Sequence, residues 1–337
     1  MKFGHFCLPT FFADVDGDVG VLMRRWLDLL AESEELGFDS LWANEHHYDA
    51  YGGIVPSTSN MLAALSQRTR KARLGTSVVV LPMHNPIEIA EQFAMVDLMS
   101  GGRVEFGIGR GFVGGSQDEL QLRMQEQLEV ILKAWSGEPV SHQGRLYKYE
   151  GLTVWPRPQQ RPHPPIWISC SETPSSFEWT GRMGYDLLTV TYRGVSWLFD
   201  NNKLYRDAWQ AAGHAPGRWR ITAHYHCVLA ESRQEAREIA REAWIRYLGV
   251  TRDPKKPELQ QAMRDIDRMV DEMRIIACTP DEAVNVLQRA HDAMGFTECT
   301  CTFFFGGITF EQAQRSLRLF AREVIPRLKD REPHLAA

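Results

Sequence analysis

Residues 72–111 read ARLGTSVVVLPMHNPIEIAEQFAMVDLMSGGRVEFGIGRG, the pattern of a strand, a helix and a second strand. The apolar runs 72–81 and 103–109 are rich in β-branched and aromatic residues, as in strands that are covered on both faces. Between them, Asn85 and Pro86 followed by Glu88 supply a capping side chain, a proline at the first helical position and an acid in the first turn. The stretch therefore predicts a strand–helix–strand unit.

The same alternation continues along the chain in both directions. The predicted strands are eight short apolar runs, at 2–9, 38–43, 72–81, 103–109, 165–170, 185–190, 220–230 and 299–305. Several of the intervening segments open on helix-start patterns, such as Ser116-x-x-Glu119 and Thr279-Pro280. Eight successive strand–helix units predict a (β/α)8 TIM barrel, with residues 1–337 forming a single domain.

The length of the chain is compatible with two domain arrangements. At roughly 150 residues per domain, 337 residues suggest about two domains, whereas one barrel of about 250 residues leaves roughly 87 for insertions. No linker divides the chain, and two stretches break its rhythm: 137–164, which is polar and then proline-rich, and 249–277, which is charged. Long loops of this kind serve as lids or as surface decoration, and 249–277 is the better lid candidate.

Composition excludes several classes of protein. The chain is 44% hydrophobic, with a net charge of −5, and contains no run of about 18 apolar residues, so we expect no membrane span. The N-terminus lacks a secretory pattern, and the Lys and Arg residues are scattered, so we expect a cytoplasmic protein that does not bind nucleic acid.

Six dispersed cysteines fit buried thiols rather than a disulfide framework. Cys299 and Cys301 share one face of a predicted strand, and core packing is the interpretation favoured over a metal or redox pair.

The loops at the C-terminal ends of the strands are the expected place for the active site. After the fourth strand, Arg110 stands among glycines and offers a planar donor suited to phosphate or carboxylate. After the fifth, Thr173 and Ser176 begin a helix whose free N–H groups and dipole favour an anion. These residues predict a phosphate site. Alternatively, Thr173 is only a helix cap and Arg110 only a surface ion-pair partner.

Two groups of histidines suggest further chemistry. Glu45-His46-His47 follows the second strand, where an imidazole can serve as a general base, and only one of the two rings is expected to face the cavity. His224-x-His226, combined with Glu45, His46 or His84, would suggest a metal-dependent hydrolase, although this pair lies deep in its strand. We favour a site without metal.

Several motifs, in order, resemble the bacterial luciferase-like flavin-dependent monooxygenases. They are residues 1–4 (MKFG), 34–42 (EELGFDSLW), 45–47 (EHH), 74–82 (LGTSVVVLP), 85–86 (NP) with Glu91, 97–103 (DLMSGGR), 106–111 (FGIGRG) and 279–282 (TPDE). The resemblance covers nearly the whole chain, and the family's barrel agrees with the eight predicted units.

The resemblance implies roles for particular residues. His46 corresponds to the family's active-site base near the flavin, and Ser77 and Val78 fall where the family often has a non-proline cis peptide under the flavin ring. Arg110 corresponds to the family's phosphate-binding arginine, and Glu172, Thr173 and Ser176 to its second phosphate-contacting segment. Gly109 and Phe112 complete the predicted cofactor site. The segment 249–277 corresponds to the family's mobile lid.

The chain also departs from the family's luciferases. Gly109 stands where the luciferase catalytic subunit has a reactive cysteine, and Val113 where it has a tyrosine. These differences argue against light emission and against specificity for long-chain aldehydes. The expected substrate pocket is apolar and aromatic, with candidates chosen by position: Phe11, Phe12, Tyr48, Phe112, Tyr192 and Phe304.

The resemblance implies a two-component FMN-dependent monooxygenase. A separate NAD(P)H:flavin reductase would supply reduced FMN (FMNH2), and O2 would oxidise a small organic substrate through a flavin C4a-(hydro)peroxide. It also implies a homodimer. The alternatives are an F420-dependent oxidoreductase that transfers hydride on the same fold, the metal-dependent hydrolase, and a non-catalytic flavin-storage protein.

Overall fold

The computed structural model describes residues 1–8, 10–48, 54–112, 114–250 and 265–329. Eight parallel strands form a closed ring: β1 Lys2–Cys7, β2 Ser40–Ala43, β3 Arg73–Thr76, β4 Val104–Gly109, β5 Ile166–Ser169, β6 Asp186–Val190, β7 Ile221–Leu229 and β8 Glu298–Thr302. Each strand pairs with the next, and β8 closes the ring by pairing with both β7 and β1. The (β/α)8 barrel predicted from the sequence is confirmed. Seven of the eight predicted strands contain the observed strand, and the eighth overlaps β8, which begins one residue earlier, at Glu298.

Helices surround this ring. They span Ala13–Asp16, Val19–Glu35, Thr58–Arg68, Pro86–Ser100, Gln117–Ser136, Pro174–Met183, Val195–Ala211, Arg233–Val250, Ile266–Asp271, Pro280–Met294, Phe310–Leu319 and Ile325–Leu328. Short 3-10 turns occupy Leu81–Met83 and Thr191–Arg193, and a π-helical turn occupies Phe320–Val324. The predicted helix starts are present: Asn85 Oδ1 accepts from the N–H of Ile87, and Ser116 and Glu119 form a capping box.

The first insertion is structural rather than a lid. It begins with an antiparallel hairpin, Val140–Gln143 with Lys148–Leu152. In the proline-rich run that follows, the Gln160 side chain donates to Asp97 Oδ1 and to the Val104 carbonyl, each at 2.8 Å. Val104 begins β4, so this run covers the N-terminal end of the barrel, away from the strand ends where the site was predicted.

The second insertion is only partly described, because residues 251–264 of the candidate lid lie outside the described residues. Its described part contains the helix Ile266–Asp271 and a short strand, Ile276–Cys278, that pairs with the end of β7. Arg237 Nη1, on the preceding helix, forms an ion pair with Asp267 at 2.6 Å.

The barrel interior is filled by two indole rings. Trp42 and Trp167 meet edge to face with their centroids 5.2 Å apart. A side chain at Gly75 would place its Cβ 2.2 Å from the Trp42 ring, so glycine is required there for the indole to occupy the interior. We call this pair the indole floor.

Below the indole floor lies a charged network at the N-terminal ends of the strands. The buried Glu105 carboxylate accepts from Arg73 Nε at 2.6 Å, from Arg220 Nη1 at 3.0 Å and from Trp167 Nε1 at 2.6 Å. Asp186 also pairs with Arg220, and burial raises the pKa of Asp186 to about 6. Each charge in the network therefore has an opposite charge beside it.

All six cysteines lie among the described residues, and they are buried and unpaired. Cys299 and Cys301 have their sulfurs 3.7 Å apart, and burial raises the pKa of both thiols well above the ordinary value. These properties favour core packing for this pair. Among the helices that the structure describes, none is both long enough and apolar enough to cross a membrane.

Replacing Glu105 tests the importance of the charged network. We expect Glu105→Leu to lower the free energy of unfolding by about 3 kcal/mol, because two arginines would lose their buried carboxylate partner. Urea unfolding followed by circular dichroism measures the change. The control is Glu311→Ala, which breaks the exposed pair with Arg25 and should cost less than about 1 kcal/mol. Equal losses for the two variants would contradict the assignment.

Candidate functional site

A cavity of about 280 Å³ opens at the C-terminal ends of β2 to β5. The residues predicted from the sequence to form the site all line this one cavity: His46, Ser77, Val78, Gly109, Arg110, Phe112, Glu172, Thr173 and Ser176. They come from four loops that are separated in the sequence, and barrel closure brings them together. This volume is just below the usual range for ligand pockets, about 300–1,000 Å³.

The wall after β3 contains the Ser77–Val78 peptide bond, which is cis as the family resemblance implies. The N–H of Ser77 donates to the Ala43 carbonyl at 2.8 Å, and beyond Val78 the chain resumes as a short strand, Val79–Val80, paired with β4. Both Ser77 and Val78 line the cavity.

Gly109 and Val78 share the space at the end of β4. A Cβ at Gly109 would lie 2.7 Å from Val78 Cγ2, which is closer than side-chain contacts allow. Valine thus fills the volume into which a cysteine at position 109 would project. Val113, the second departure from the luciferases, lies outside the described residues.

The Cys170 thiol lines the same cavity but does not replace the missing cysteine. Burial raises the pKa of Cys170 to about 12, so its sulfur stays protonated at neutral pH and is a poor nucleophile.

Arg110 and Thr173 meet across the cavity wall. Arg110 Nη2 donates to Thr173 Oγ1 at 3.1 Å, and among the described residues the guanidinium forms no ion pair with a carboxylate. The Thr173 hydroxyl makes no capping hydrogen bond to its own helix. The structure therefore does not support the alternative in which Thr173 is merely a cap and Arg110 a surface ion-pair partner.

The helix start after Thr173 offers fewer backbone donors than the sequence pattern suggests. Pro174 has no N–H, and the N–H of Ser176 donates to the Thr173 carbonyl at 3.0 Å. Attraction of an anion to this end of the cavity thus depends more on the side chains of Arg110, Thr173 and Ser176 than on free peptide groups.

The buried Glu45 carboxylate organises the histidines. His47 Nε2 and His84 Nε2 each donate to Glu45 Oε1 at 2.8 Å. His46 and His47 both line the cavity, so the expectation that only one of them would face it is wrong. The Glu45 carboxylate holds the His47 ring, whereas His46 is half-buried at the wall.

The predicted grouping of His224 and His226 with Glu45 is not observed. Within the described ranges, Glu45, His47 and His84 form the one group of three potential metal ligands whose atoms lie within 4.8 Å of one another. The His226 ring lies among aromatic side chains, with centroids 4.7 Å from Phe305 and 4.9 Å from Trp244. Burial lowers the pKa of His226 to about 3, and that of His224 falls well below its ordinary value.

Two of the six aromatic candidates for a substrate pocket line the cavity, Tyr48 and Phe112. Their exposed fractions are 86% and 72%, which is unusual for rings of this size. The remaining four do not line it; the Phe304 ring, for example, packs against Trp26, with centroids 5.6 Å apart. Position at a strand end could not predict which of the six rings line the cavity, because it does not determine the direction in which a loop side chain points.

Sequence reasoning gave no role to several residues that the fold brings to the cavity. Among them are Asn44, Met83, Gln121, Met124 and Ser169. Asn44 had one available signal, since it directly precedes Glu45 and continues the inward-facing series of Ser40 and Trp42. Gln121 and Met124 lie on the helix Gln117–Ser136, and only tertiary packing shows which face of that helix meets the cavity.

The contact between Gly109 and Val78 predicts a paired mutational effect. We expect Gly109→Cys to lower the free energy of unfolding by about 1–3 kcal/mol through overpacking, and the added Val78→Ala change to recover most of that loss. Denaturant unfolding of both single variants and of the double variant measures the coupling. Strict additivity of the two changes would rule out the proposed clash.

Comparison with known proteins places the chain in a family. The family model described as luciferase-like monooxygenase matches residues 1–297. The chain is similar to the 4-hydroxyprotoasukamycin monooxygenase of Streptomyces nodosus subsp. asukaensis, with 28% identity, 97% of this chain covered and 92% of the relative. It is also similar to the oxygenase component of the flavin-dependent trigonelline monooxygenase of Acinetobacter baylyi, with 27% identity over 90% and 89% of the two chains.

Solved structures show the same architecture. The monooxygenase RslO1 from Streptomyces bottropensis superposes with a TM-score of 0.86 at 32% identity, covering 97% of this chain and 99% of that one. The fold is shared, at 20% identity, with the oxygenating constituent of 3,6-diketocamphane monooxygenase from Pseudomonas putida in complex with FMN, at a TM-score of 0.82 over 97% and 98% of the chains. An F420-dependent secondary alcohol dehydrogenase has a TM-score of 0.77, also at 20% identity, over 98% and 99%. The chain is an enzyme that belongs to the luciferase-like monooxygenase family.

Proposed function

We propose that this protein is the oxygenase component of a two-component FMN-dependent monooxygenase. The observation that carries the proposal is the pairing of Arg110 with Thr173 in the wall of a cavity that also contains His46. Among the described residues this guanidinium has no carboxylate partner and donates to a hydroxyl, an arrangement that suits a phosphate group. FMN ends in such a group.

The residues around the cavity fit the other parts of FMN. Arg110, Thr173 and Ser176 would hold the phosphate. Because a carboxylate repels phosphate, Glu172 would contribute through its backbone N–H. The ring system would lie against the wall formed by Ser77, Val78, Gly109 and Phe112.

Reduced FMN, when bound, supplies the electrons for activation of O2. The protein would exclude water from the reacting ring and position a proton donor beside it. Apolar side chains in the cavity wall, among them Val78, Met83 and Ile168, would shield the reacting ring from solvent. The imidazole of His46 would hold or deliver the proton during substrate oxidation, while the Glu45 carboxylate keeps His47 and His84 in place beside it.

The partners follow from the relatives. The trigonelline monooxygenase relative is named as an oxygenase component, which supports a separate NAD(P)H:flavin reductase and a small organic substrate here. A cytoplasmic location and a homodimer stay predictions. Three apolar side chains on the helix Pro86–Ser100 are about half exposed and support the dimer: Met95 at 51%, Leu98 at 46% and Met99 at 42%.

F420-dependent hydride transfer is the second candidate, because an F420-dependent dehydrogenase shares the fold. Anaerobic titration with reduced FMN and with reduced F420 distinguishes the two functions. We expect reduced FMN to bind more tightly, and oxygen uptake to begin when air is admitted. Tighter binding of F420, with no oxygen consumed during turnover, would favour hydride transfer.

Replacing Arg110 tests the phosphate site. We expect Arg110→Ala to weaken binding of reduced FMN about 10- to 100-fold and to leave reduced riboflavin, which lacks the phosphate, unchanged. Anaerobic fluorescence titration measures both affinities. Arg193→Ala is the matched control, because Arg193 packs over the Trp197 ring and does not line the cavity. Equal weakening of the two flavins by Arg110→Ala would refute the assignment.

Replacing His46 tests the proposed proton transfer. With reduced FMN supplied, we expect His46→Ala to slow oxidation in a panel of small aldehydes, sulfonates and terpenes by about 100-fold or more, with flavin affinity retained. Product analysis together with oxygen uptake measures the effect. His214→Ala serves as the control, since His214 packs against Trp209, away from the cavity. Full activity of His46→Ala would exclude this role.

A further inference from the structure

Asn44 is a buried polar side chain in the cavity wall that lacks hydrogen-bond partners. Its residue is 3% exposed, and among the described residues neither Oδ1 nor Nδ2 of its amide has a partner. It directly follows β2 and lines the cavity beside the Glu45 loop. A buried amide left without partners costs about 1–3 kcal/mol, and at the wall of a cavity a ligand can supply the missing hydrogen bonds.

The neighbours of Asn44 along the barrel interior show that this lack of partners is local. Strand alternation places Ser40, Trp42 and Asn44 on the same inward side. Trp42 Nε1 donates to Ser40 Oγ at 2.7 Å and to Glu298 Oε1 at 2.9 Å, and the Ser40 hydroxyl itself donates to Glu298. The two lower residues are satisfied within the protein. Asn44, the one that reaches the cavity, has no hydrogen-bond partner among the described residues.

The cavity thus has two different polar ends. Arg110 and Thr173 follow β4 and β5, whereas Asn44 follows β2, two and three strands away around the ring. Apolar side chains, among them Val78, Met83 and Ile168, line the wall as well. The complementary ligand carries an anion at one end, has an apolar flat body, and presents a hydrogen-bond donor next to an acceptor at the other end.

We infer that the Asn44 carboxamide binds the imide edge of the ring system of the cofactor. This inference rests on the proposed function, and it adds a ring-recognition residue at the end of the cavity away from the phosphate site. An imide places an N–H beside a carbonyl, which matches the acceptor and donor of one carboxamide. Flavins and deazaflavins both carry such an edge, so Asn44 recognises the ring system rather than the phosphate-bearing side chain of the cofactor.

The test uses a ligand that lacks the phosphate. We expect Asn44→Leu to weaken binding of reduced riboflavin and of reduced FMN by the same factor, about 10- to 30-fold, because both ligands lose a pair of hydrogen bonds. Without ligand, Asn44→Leu should melt at the wild-type temperature or above, since it replaces an unpaired buried amide by an apolar group of similar size. Anaerobic titration and thermal melts give the two readouts, and Asn44→Ala provides a second variant.

The control is Asn201→Leu. Asn201 is also buried, but its Nδ2 donates to the Trp197 carbonyl at 2.7 Å and it does not line the cavity. We expect this change to lower the melting temperature and to leave flavin affinity unaltered.

The outcomes separate this inference from the proposed function. Unchanged affinity of Asn44→Leu for both flavins, or a marked fall in the melting temperature without ligand, would overturn the role of Asn44 while leaving the function intact. If the wild-type protein bound neither reduced flavin nor reduced F420, the function and the role of Asn44 would fall together.

Discussion

The indole floor formed by Trp42 and Trp167 is the contact on which the arrangement of this barrel depends. The two indoles can meet in the interior only because Gly75 has no side chain, since a Cβ there would come within 2.2 Å of the Trp42 ring. The N–H groups of the two indoles donate to Glu105 and Glu298, whereas the cavity opens at the C-terminal ends of the strands.

Polar groups at the two ends of the barrel differ in their hydrogen-bond partners. Below the floor, Glu105 is surrounded by donors from Arg73, Arg220 and Trp167, so its charge is balanced within the protein. Above the floor, Asn44 lacks partners, and Arg110 is met only by a hydroxyl among the described residues. Satisfied groups stabilise a fold, whereas unsatisfied groups next to a cavity are available to a ligand. The cavity wall therefore offers polar groups with which a ligand can form hydrogen bonds.

Local sequence was sufficient for the strands and for most helix starts. The apolar runs matched the strands because parallel barrel strands are covered on both faces, and capping residues such as Asn85 act within a few residues of their own position. Thr173 shows where this reasoning fails. Its sequence is that of a cap, yet its hydroxyl binds Arg110, a residue 63 positions earlier in the chain. The proline-rich run belongs to one of the two stretches weighed as a lid or as surface decoration, and Gln160 ties it to the opposite end of the barrel.

What the sequence by itself determined is the order of strands and helices, the closed barrel they form, and the set of residues that stand at strand ends, His46 and Arg110 among them. These follow from periodicity and from motifs, which are local properties of the chain. Only the tertiary structure decided which strand-end residues share a cavity, that Glu45 holds two histidines, and that Asn44 has no hydrogen-bond partner within the described part of the chain. Those facts depend on distances between residues far apart in sequence, and closure of the barrel sets these distances.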